Sequence, residues 1–497
     1  MNQEVQAEHI QRDKLLEQLS SCPAGIFNIV AFCIKAPTKS LYGDTVDQAT
    51  KAIALIEWAE NPDSPGIDID KLNDCYLKAI GKKKVLDHTK FTISKKFLCQ
   101  SFTATTITTG LIILMRMLGG LQSYELLAYD HFMRIRRNSE WADDKFLVIS
   151  IDEEDIQYQD QDINLKYKPR QGSLSDKALL ALLKKITPYK PKIIASDIIH
   201  DYKFEPELQE YLKINKNLKY ISICQFRNEN SNLSGIRPPN NFSPNQLGFI
   251  NFPKDDDDVI RRQLLGMEED AICPTQQSIG LRIALSYLGE SGDMTPEGFV
   301  KIRDVVFKPL EHNAGGYQLP KGEEDVDQVL LNYQASNPKI KTLRDILADS
   351  SNSQLAGIIN EKTIILIGFV DSKTDQHRTP YNKEMSGVII HANMASQIIN
   401  AVEKKRPLIK WLPEYAENIW IFFWVLLGCT LNLVWKHDYF KKLKITILLV
   451  SLYSAVLYVF CLLAFSVAVW IPFVPPLLAL IITPVCLLLV QSIFRYK

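Results

Sequence analysis

The last eighty residues, 418–497, hold three apolar runs joined by very short connections. The first, 418–435 (NIWIFFWVLLGCTLNLVW), carries no charge over eighteen positions, about the least that crosses a hydrocarbon core of ~30 Å. Trp420, Trp424 and Trp435 suit the membrane interfaces. The second run, from Ile445 to about Pro472, is longer than one crossing needs, and the third, 474–494, is broken only by Pro475, Pro476 and Pro484. A buried hairpin in a soluble protein has no use for three such runs in series, so spanning helices are predicted at 418–435, 445–470 and 474–494. The connection KHDYFKKLK sets Lys436, Lys441, Lys442 and Lys444 against Asp438, and Arg495-Tyr496-Lys497 closes the chain. Both basic ends are expected in the cytoplasm.

Composition fits a multi-domain membrane protein with large soluble parts: 46% of the 497 residues are hydrophobic and 23% charged, with a formal net charge of zero. That balance excludes nucleic acid as a global partner. Met1-Asn2-Gln3 opens a polar stretch unlike a cleavable signal peptide, which places the N-terminus in the cytoplasm.

Residues 1–80 read as an α-helical cytoplasmic domain. Leu15, Leu16 and Leu19 recur at helical spacing after Asp13, a candidate cap, and Phe27, Ile29, Val30, Phe32 and Ile34 continue the core up to Pro37. Thr45-Val46-Asp47-Gln48 fits an N-cap with Gln three residues on, ahead of Ala49, Ala52, Ile53, Leu55 and Ile56. Trp58 closes that helix on the bundle, and a last helix is expected over 69–80. The order KLLEQL, FNIVAFCI, DQATKAIALIEWAE, LNDCYLKAI over residues 12–80 resembles the small, death-like effector-associated domains of bacterial signalling and conflict systems. The resemblance implies an adaptor that pairs with a matching domain on another cytoplasmic protein. An unspecialised helical cap is the competing reading. Cys22, Cys33 and Cys75 have no spaced His or carboxylate set of the kind zinc needs.

Residues 81–96 form a basic linker with six lysines against Asp87, suited to the anionic inner leaflet; a nucleic-acid patch would need more aromatic interleaving. The apolar run 97–119 is a fourth span, diluted by five threonines and by Arg116, which is expected to snorkel to the far interface. Lysines precede it and none directly follows, so the N-terminus is inside and residues 120–417 lie outside the cytoplasm. One crossing before that region and three after it return the C-terminus to the cytoplasm. The predicted location is therefore the bacterial inner membrane, multi-pass, with both termini cytoplasmic.

The outer region reads as α/β. Residues 146–151 (FLVISI), 193–199 (IIASDII), 218–224 and 363–369 (TIILIGF) are strands, while 177–186, 277–288 and 391–402 are helices, the alternation that parallel β/α units require. Residues 240–258 read mostly as turns. The segments YDHFMRIRR, FLVISIDEEDI, IIASDII, LGFINFPKDDDDVIRRQLL, PTQQSIGLRIAL, LLNYQA, KTIILIGFVDSKTDQHRTPY and MSGVIIHANMASQII resemble, in order, the type 2 CHASE domain over residues 122–403. The resemblance implies a sensory domain outside the membrane, commonly preceded by one membrane helix and followed by three. Tyr129-Asp130 and Arg134 match the family's opening helix, Asp152 and Asp197 end core strands, Arg261 follows the acidic turn, Asn332-Tyr333 open a strand, and Thr379-Pro380, Gly387 and His391-Ala392-Asn393 form the closing segment. Polar groups at the carboxyl ends of parallel strands face the usual ligand crevice, which makes Asp152, Asp197, Arg261 and His391 the ligand-binding candidates; capping helices and pinning loops is the alternative for Asp152, Asp197 and His391.

Other chemistries are set aside. The run 255–258 lacks the alternating ligands, central Gly and terminal Glu of an EF-hand and reads as a solvated turn. His200-Asp201 and His377 come without HExxH, GxSxG or CxxC, and no P-loop, kinase or cyclase signature is present. No catalysis, metal or cofactor is expected. Of nine cysteines only Cys224 and Cys273 fall outside, within expected disulfide reach or as two core thiols. The sequence therefore favours a receptor that senses an unknown extracytoplasmic ligand, works as a homodimer or higher oligomer in the bilayer, and recruits an effector. A membrane-disrupting effector of an anti-phage system, acting through its spans, is the alternative. The helix at 124–137 is expected to continue stiffly from Gly119-Gly120, with a hinge at Pro407 and Pro413.

Overall fold

The computed structural model describes residues 2–37, 46–61, 69–80, 95–136, 143–162, 165, 172–227, 234–320, 326–334, 337–348, 353–370, 375–381, 383–431 and 439–493. Trp435, Lys436, Asp438, Arg495-Tyr496-Lys497 and most of the basic linker, 81–94, lie outside them. The chain divides into two units, Met1–Leu98 and Cys99–Lys497.

The first unit is the expected helical bundle: α1 (Asn2–Ser21), α2 (Ala24–Cys33), α3 (Gln48–Glu60) and α4 (Ile69–Ala79). Leu15, Leu19, Phe27, Val30, Leu55, Ile56 and Leu72 form its core, with Trp58 packed against it, whereas Ile29 and Phe32, expected in that core, fall on the outer face of α2 and are exposed. Asp13 lies inside α1 and caps nothing, because the helix starts eleven residues earlier, at Asn2. The cap of α3 is Asp47, whose carboxylate accepts the Thr50 N–H at 2.9 Å; the expected Thr45 lies outside the described residues. Cys33 and Cys75 are bonded, with Cα atoms 6.0 Å apart.

The second unit runs α5 (Lys95–Met117, its first residues shared with the first unit), α6 (Gln122–Ile135), β1 (Phe146–Ile151), α7 (Glu153–Gln161), α8 (Asp176–Ile186), β2 (Ile193–Asp197), α9 (Pro206–Ile214), β3 (Tyr220–Cys224), β4 (Leu247–Phe249) and β5 (Arg262–Leu264). It continues through α10 (Ile279–Leu288), β6 (Asp293–Met294), β7 (Val300–Ile302), β8 (Val305–Phe307), β9 (Gln328–Leu330), β10 (Lys339–Thr342), α11 (Leu343–Ala348), α12 (Ser353–Ala356) and β11 (Ile364–Phe369). It closes with β12 (Gln376–Arg378), β13 (Glu384–Ser386), α13 (Gly387–Val402), β14 (Lys410–Trp411), α14 (Glu414–Thr430), α15 (Tyr439–Ser466), β15 (Val469–Trp470) and α16 (Val474–Ile493).

Six strands make one parallel sheet in the order β10-β1-β11-β2-β3-β4. Alternation explains why both its faces are covered. Val148, Ile193, Ala195 and Leu366 point toward α10 and α13, while Leu147, Ile149, Ile194 and Ile365 point toward α8 and α9. A strand apolar on both faces is stable only between two helical layers. Gly368 near the end of β11 lets α13 start close to the sheet: a Cβ there would stand 2.5 Å from Val388. Two sequence readings change. Asn332-Tyr333 follow β9 instead of opening a strand, and the turn-rich stretch 240–258 also contributes the edge strand β4. Cys224 and Cys273 are bonded, with Cα atoms 5.3 Å apart, beside Phe226, Phe249 and Leu264.

Among the described residues two helices are long and apolar enough to cross a membrane, Lys444–Ser466 with mean hydropathy 2.5 and Val474–Ile493 with 2.3. Helix α14 begins at Glu414, four residues before the expected run, and the 432–438 segment that follows it lies outside the described residues. The segment Cys99–Met117 is apolar together with Gln122–Ile135, but the two are bent by 83°. The stiff continuation expected through Gly119-Gly120 is thus a corner, and Gly119 turns it in the left-handed region at φ 73°. The segment expected to hinge is pinned instead, since β14 pairs in parallel with β15, between the last two helices. Arg116 does not snorkel: it is buried, ion-paired with the buried Glu417 at the start of α14, and donates to the Asn313 carbonyl at 3.0 Å. An arginine close to an apolar layer is far less costly when paired than alone.

Candidate functional site

A cavity of about 800 Å³ opens where β2, β3, β4 and β11 end, the carboxyl edge at which parallel sheets bind ligands. Ile198, Ile223, Ile250 and Phe369 supply apolar wall. The polar lining is Asp197, Asp375, His377, His391, Gln225, Asn251 and Lys254. Asp197 lies there because it is the last residue of β2. His391 lies there because it is one turn into α13, whose start packs over β11.

The aromatic side of the cavity is tightly ordered. Phe252 stacks on His391 with ring centroids 4.6 Å apart and meets His377 edge-on at 4.9 Å. His377 Nε2 lies 3.2 Å from Asp375 Oδ1, and the Gly387 N–H donates to Asp375 Oδ2 at 3.2 Å. The Asp197 carboxylate accepts no hydrogen bond among the described residues. Burial, and the negative Asp375 beside it, push that carboxyl well above the ordinary carboxylate range. His391 is only 2% exposed and its Nδ1 has no partner. Burial brings its imidazole down to about 3, so it stays neutral.

Two of the four sequence candidates therefore meet in the cavity, Asp197 and His391, and two do not. Asp152 caps α7 in a reciprocal box with Asp155 and receives Arg344 at 2.6 Å; it is scaffold. Arg261 is fully buried between elements: Nε and Nη2 hold Asp130 of α6 at 2.8 and 2.9 Å, Nη1 holds Asp255 at 2.7 Å, and Nη2 holds Asp257 at 2.6 Å. Against the cost of burial, Asp257 and Asp130 keep Arg261 firmly protonated. The acidic turn is thus an arginine clamp and neither a calcium loop nor merely solvated. Among the described residues no group of three or more His, Cys, Asp and Glu side chains converges as metal ligands.

The clamp sits between the cavity and the helices that follow. Phe252 and Lys254 line the cavity just before Asp255, and the Ile260 N–H donates at 3.0 Å to the carbonyl of Arg378, next to His377. At the other side of the clamp, α6 lies across the ends of α15 and α16. Tyr129 and Phe132 pack on Phe465, and Tyr129 also on Trp470. Glu125, 1% exposed, accepts from the Trp470 indole at 3.3 Å and from the Phe473 and Val474 N–H groups at 2.9 and 2.7 Å. A carboxylate from α6 therefore caps the N-terminus of α16. The sequence reading passed over Glu125, although it is one acidic residue in an apolar stripe with Tyr129 and Phe132. It also passed over Asp375, which has no local signature.

The model of the CHASE2 domain matches residues 107–430. No curated protein and no solved structure matches the chain. The matched segment takes in the end of α5, the whole α/β body with its cavity, and α14. With well over half its length matched in this way, the chain belongs to the CHASE2 domain family, whose membership suggests an extracellular sensor.

Proposed function

We propose that this chain is a multi-pass receptor of the bacterial inner membrane. The CHASE2 unit senses a small molecule outside the cytoplasm, α5, α14, α15 and α16 span the bilayer, and the N-terminal helical unit recruits a partner inside. The observation that carries the reading is the double attachment of α6. Asp130 fixes it to the turn beside the cavity through Arg261, and Glu125, five residues or about one and a half turns earlier, fixes it to α16. A ligand shifts an equilibrium only through contacts that differ between two states, and α6 is positioned to differ in both sets at once. The basic linker and the lysines around 436–444 fit a cytoplasmic side for both. Ile29, Phe32 and Ile53 of the first unit are 54%, 86% and 42% exposed, a surface suited to a protein partner.

Signalling by such a receptor requires a second copy or a movement between spans. Leu111 and Leu114 are exposed on α5, so cysteines placed there report contact between copies. Cross-linking that changes with stimulus, and loses that change in Glu125→Gln while the cavity stays intact, supports the reading. Cross-linking indifferent to every stimulus, combined with leakage of liposomes carrying the chain, would replace it by the membrane-disrupting effector.

A further inference from the structure

Among the described residues the cavity's charged groups are two carboxylates, Asp197 and Asp375, and the exposed Lys254, while Ser173, Gln225, Asn251 and the histidines add groups that both donate and accept. Asp197 offers a carboxyl group with no hydrogen-bond partner among the described residues, and Asp375 is met by His377 and the Gly387 N–H. The basic residue in the lining, Lys254, is exposed at the rim. Among the described residues two neighbouring carboxylates favour a cation over a carboxylate or phosphate there, and a hydrocarbon would leave them unmatched. It also lacks three converging ligands for a metal ion among the described residues. What it matches is a donor with positive charge.

We propose that the cavity binds a small organic cation, a protonated amine on an apolar body, with the ammonium against Asp197 and Asp375 and the body against Ile198, Ile223, Ile250 and Phe369. An ammonium presents three N–H donors, enough for both carboxylates. The cavity's ~800 Å³ suits a ligand of this size. The inference deepens the sensor reading and rests on it. Proton linkage gives it a signature. Asp197 holds a proton more readily than an ordinary carboxyl, and ammonium binding requires the carboxylate, so binding expels that proton. Affinity rises with pH until Asp197 is ionised in the free protein, then levels off.

The test uses the full chain in lipid nanodiscs, with phenethylamine, 2-phenylethanol and 3-phenylpropanoate as probes in calorimetric titrations at about pH 5 and about pH 7.5. The expected result is amine binding that tightens ~10-fold or more between the two conditions, with alcohol and carboxylate at least ~10-fold weaker. Asp197→Asn weakens the amine by ~10-fold or more and flattens its pH dependence. Asp375→Asn, read the same way, decides the matter if the first variant does not fold. Equal binding of the three probes, tighter binding of the carboxylate, or amine binding unmoved by both variants overturns the proposal. If none of the probes binds while α5 cross-linking still answers a stimulus, the cation assignment falls and the sensor stands. If the amine binds with the expected pH dependence but cross-linking never changes, the site stands and the sensor falls.

Discussion

Replacing Arg261 with methionine tests the clamp, and its size can be worked from what each carboxylate keeps. Asp257 is 44% exposed, so water takes over and its loss contributes little. Asp255 retains Arg262 at 2.8 Å and the Tyr317 hydroxyl at 2.9 Å. Asp130, its side chain 5% exposed, has no other hydrogen-bonded cation among the described residues. Arg261→Met thus strands one buried carboxylate, a change that costs about 3–5 kcal/mol. For a unit that runs from Cys99 to Lys497 that corresponds to a fall in Tm of roughly 4–6 °C. Asp130→Asn alone leaves Arg261 with two carboxylates and should cost about 1–2 kcal/mol. The double variant removes the stranded charge, so it should recover about 2 kcal/mol relative to the sum of the singles. Tryptophan fluorescence on heating the full chain in detergent reads all four proteins. If Arg261→Met melts within ~2 °C of the parent, or the double variant is as unstable as the sum, Asp130 is not held by Arg261 and α6 is not tied to the cavity turn.

Glu125→Leu leaves the Phe473 and Val474 N–H groups and the Trp470 indole without their acceptor; a loss of about 2–4 kcal/mol and faster hydrogen exchange at the start of α16 are expected. Burial holds His200 down at about 4 against an ordinary 6.5, so the unfolded chain takes up a proton that the folded one refuses. The His200 contribution is complete above pH 6.5 and falls by roughly 3 kcal/mol by about pH 4, and denaturant melts of His200→Leu should show a flatter acid limb. A membrane-permeant maleimide should label Cys33 in cells without reductant if the first unit is cytoplasmic, where a disulfide does not persist, whereas the bonded and buried Cys224 should react only once the chain is both reduced and denatured; a map by introduced cysteines should place Lys90 and Lys441 inside and Asp256 outside. Residues 1–80 expressed alone should be helical by circular dichroism, and a disordered spectrum would remove the adaptor assignment.

The α/β body was legible because period-two and helical apolar patterns are local. FLVISI, IIASDII and TIILIGF became β1, β2 and β11 with boundaries shifted by at most two residues. Long-range pairing was not legible. Arg116 reads alone as a charge near an interface, and its partner Glu417 lies 301 residues on; Arg261 reads as one residue after an acidic run, while its deepest partner is Asp130. The site was half legible for the same reason. The strand-end rule found Asp197 and the closing helix gave His391, but Asp375 and Phe252 reach the cavity from loops that carry no periodicity. Asp152 obeyed the strand-end rule and still became a helix cap, since an aspartate followed by an acidic turn satisfies both patterns.

Which span can answer the cavity follows from how each is held. Helix α5 is fixed to α14 by the buried Arg116–Glu417 pair and by Thr105 against Cys429 at 3.1 Å, so separating the two would bare a charge among apolar groups. Helix α14 packs closely on α16, where Gly428 leaves room for Thr483: a Cβ there would come within 2.9 Å. Those three helices therefore move together. Helix α15 is different. It buries the least of its length among the long apolar helices, exposes Leu448, Leu452, Val456, Val459 and Leu463, and meets α6 through aromatic contacts of Tyr458 and Phe465 with His131, Phe132 and Tyr129. One hydrogen bond, His131 Nε2 to the Tyr458 hydroxyl at 2.9 Å, joins that ring packing, and both yield at lower cost than a buried ion pair. On the receptor reading, a displacement of α6 at its Arg261 end would therefore be felt at its α15 contact and, through Glu125, at the start of α16. Because the corner at Gly119 sets α6 nearly perpendicular to α5, such a displacement would not act, on that reading, as a piston along α5.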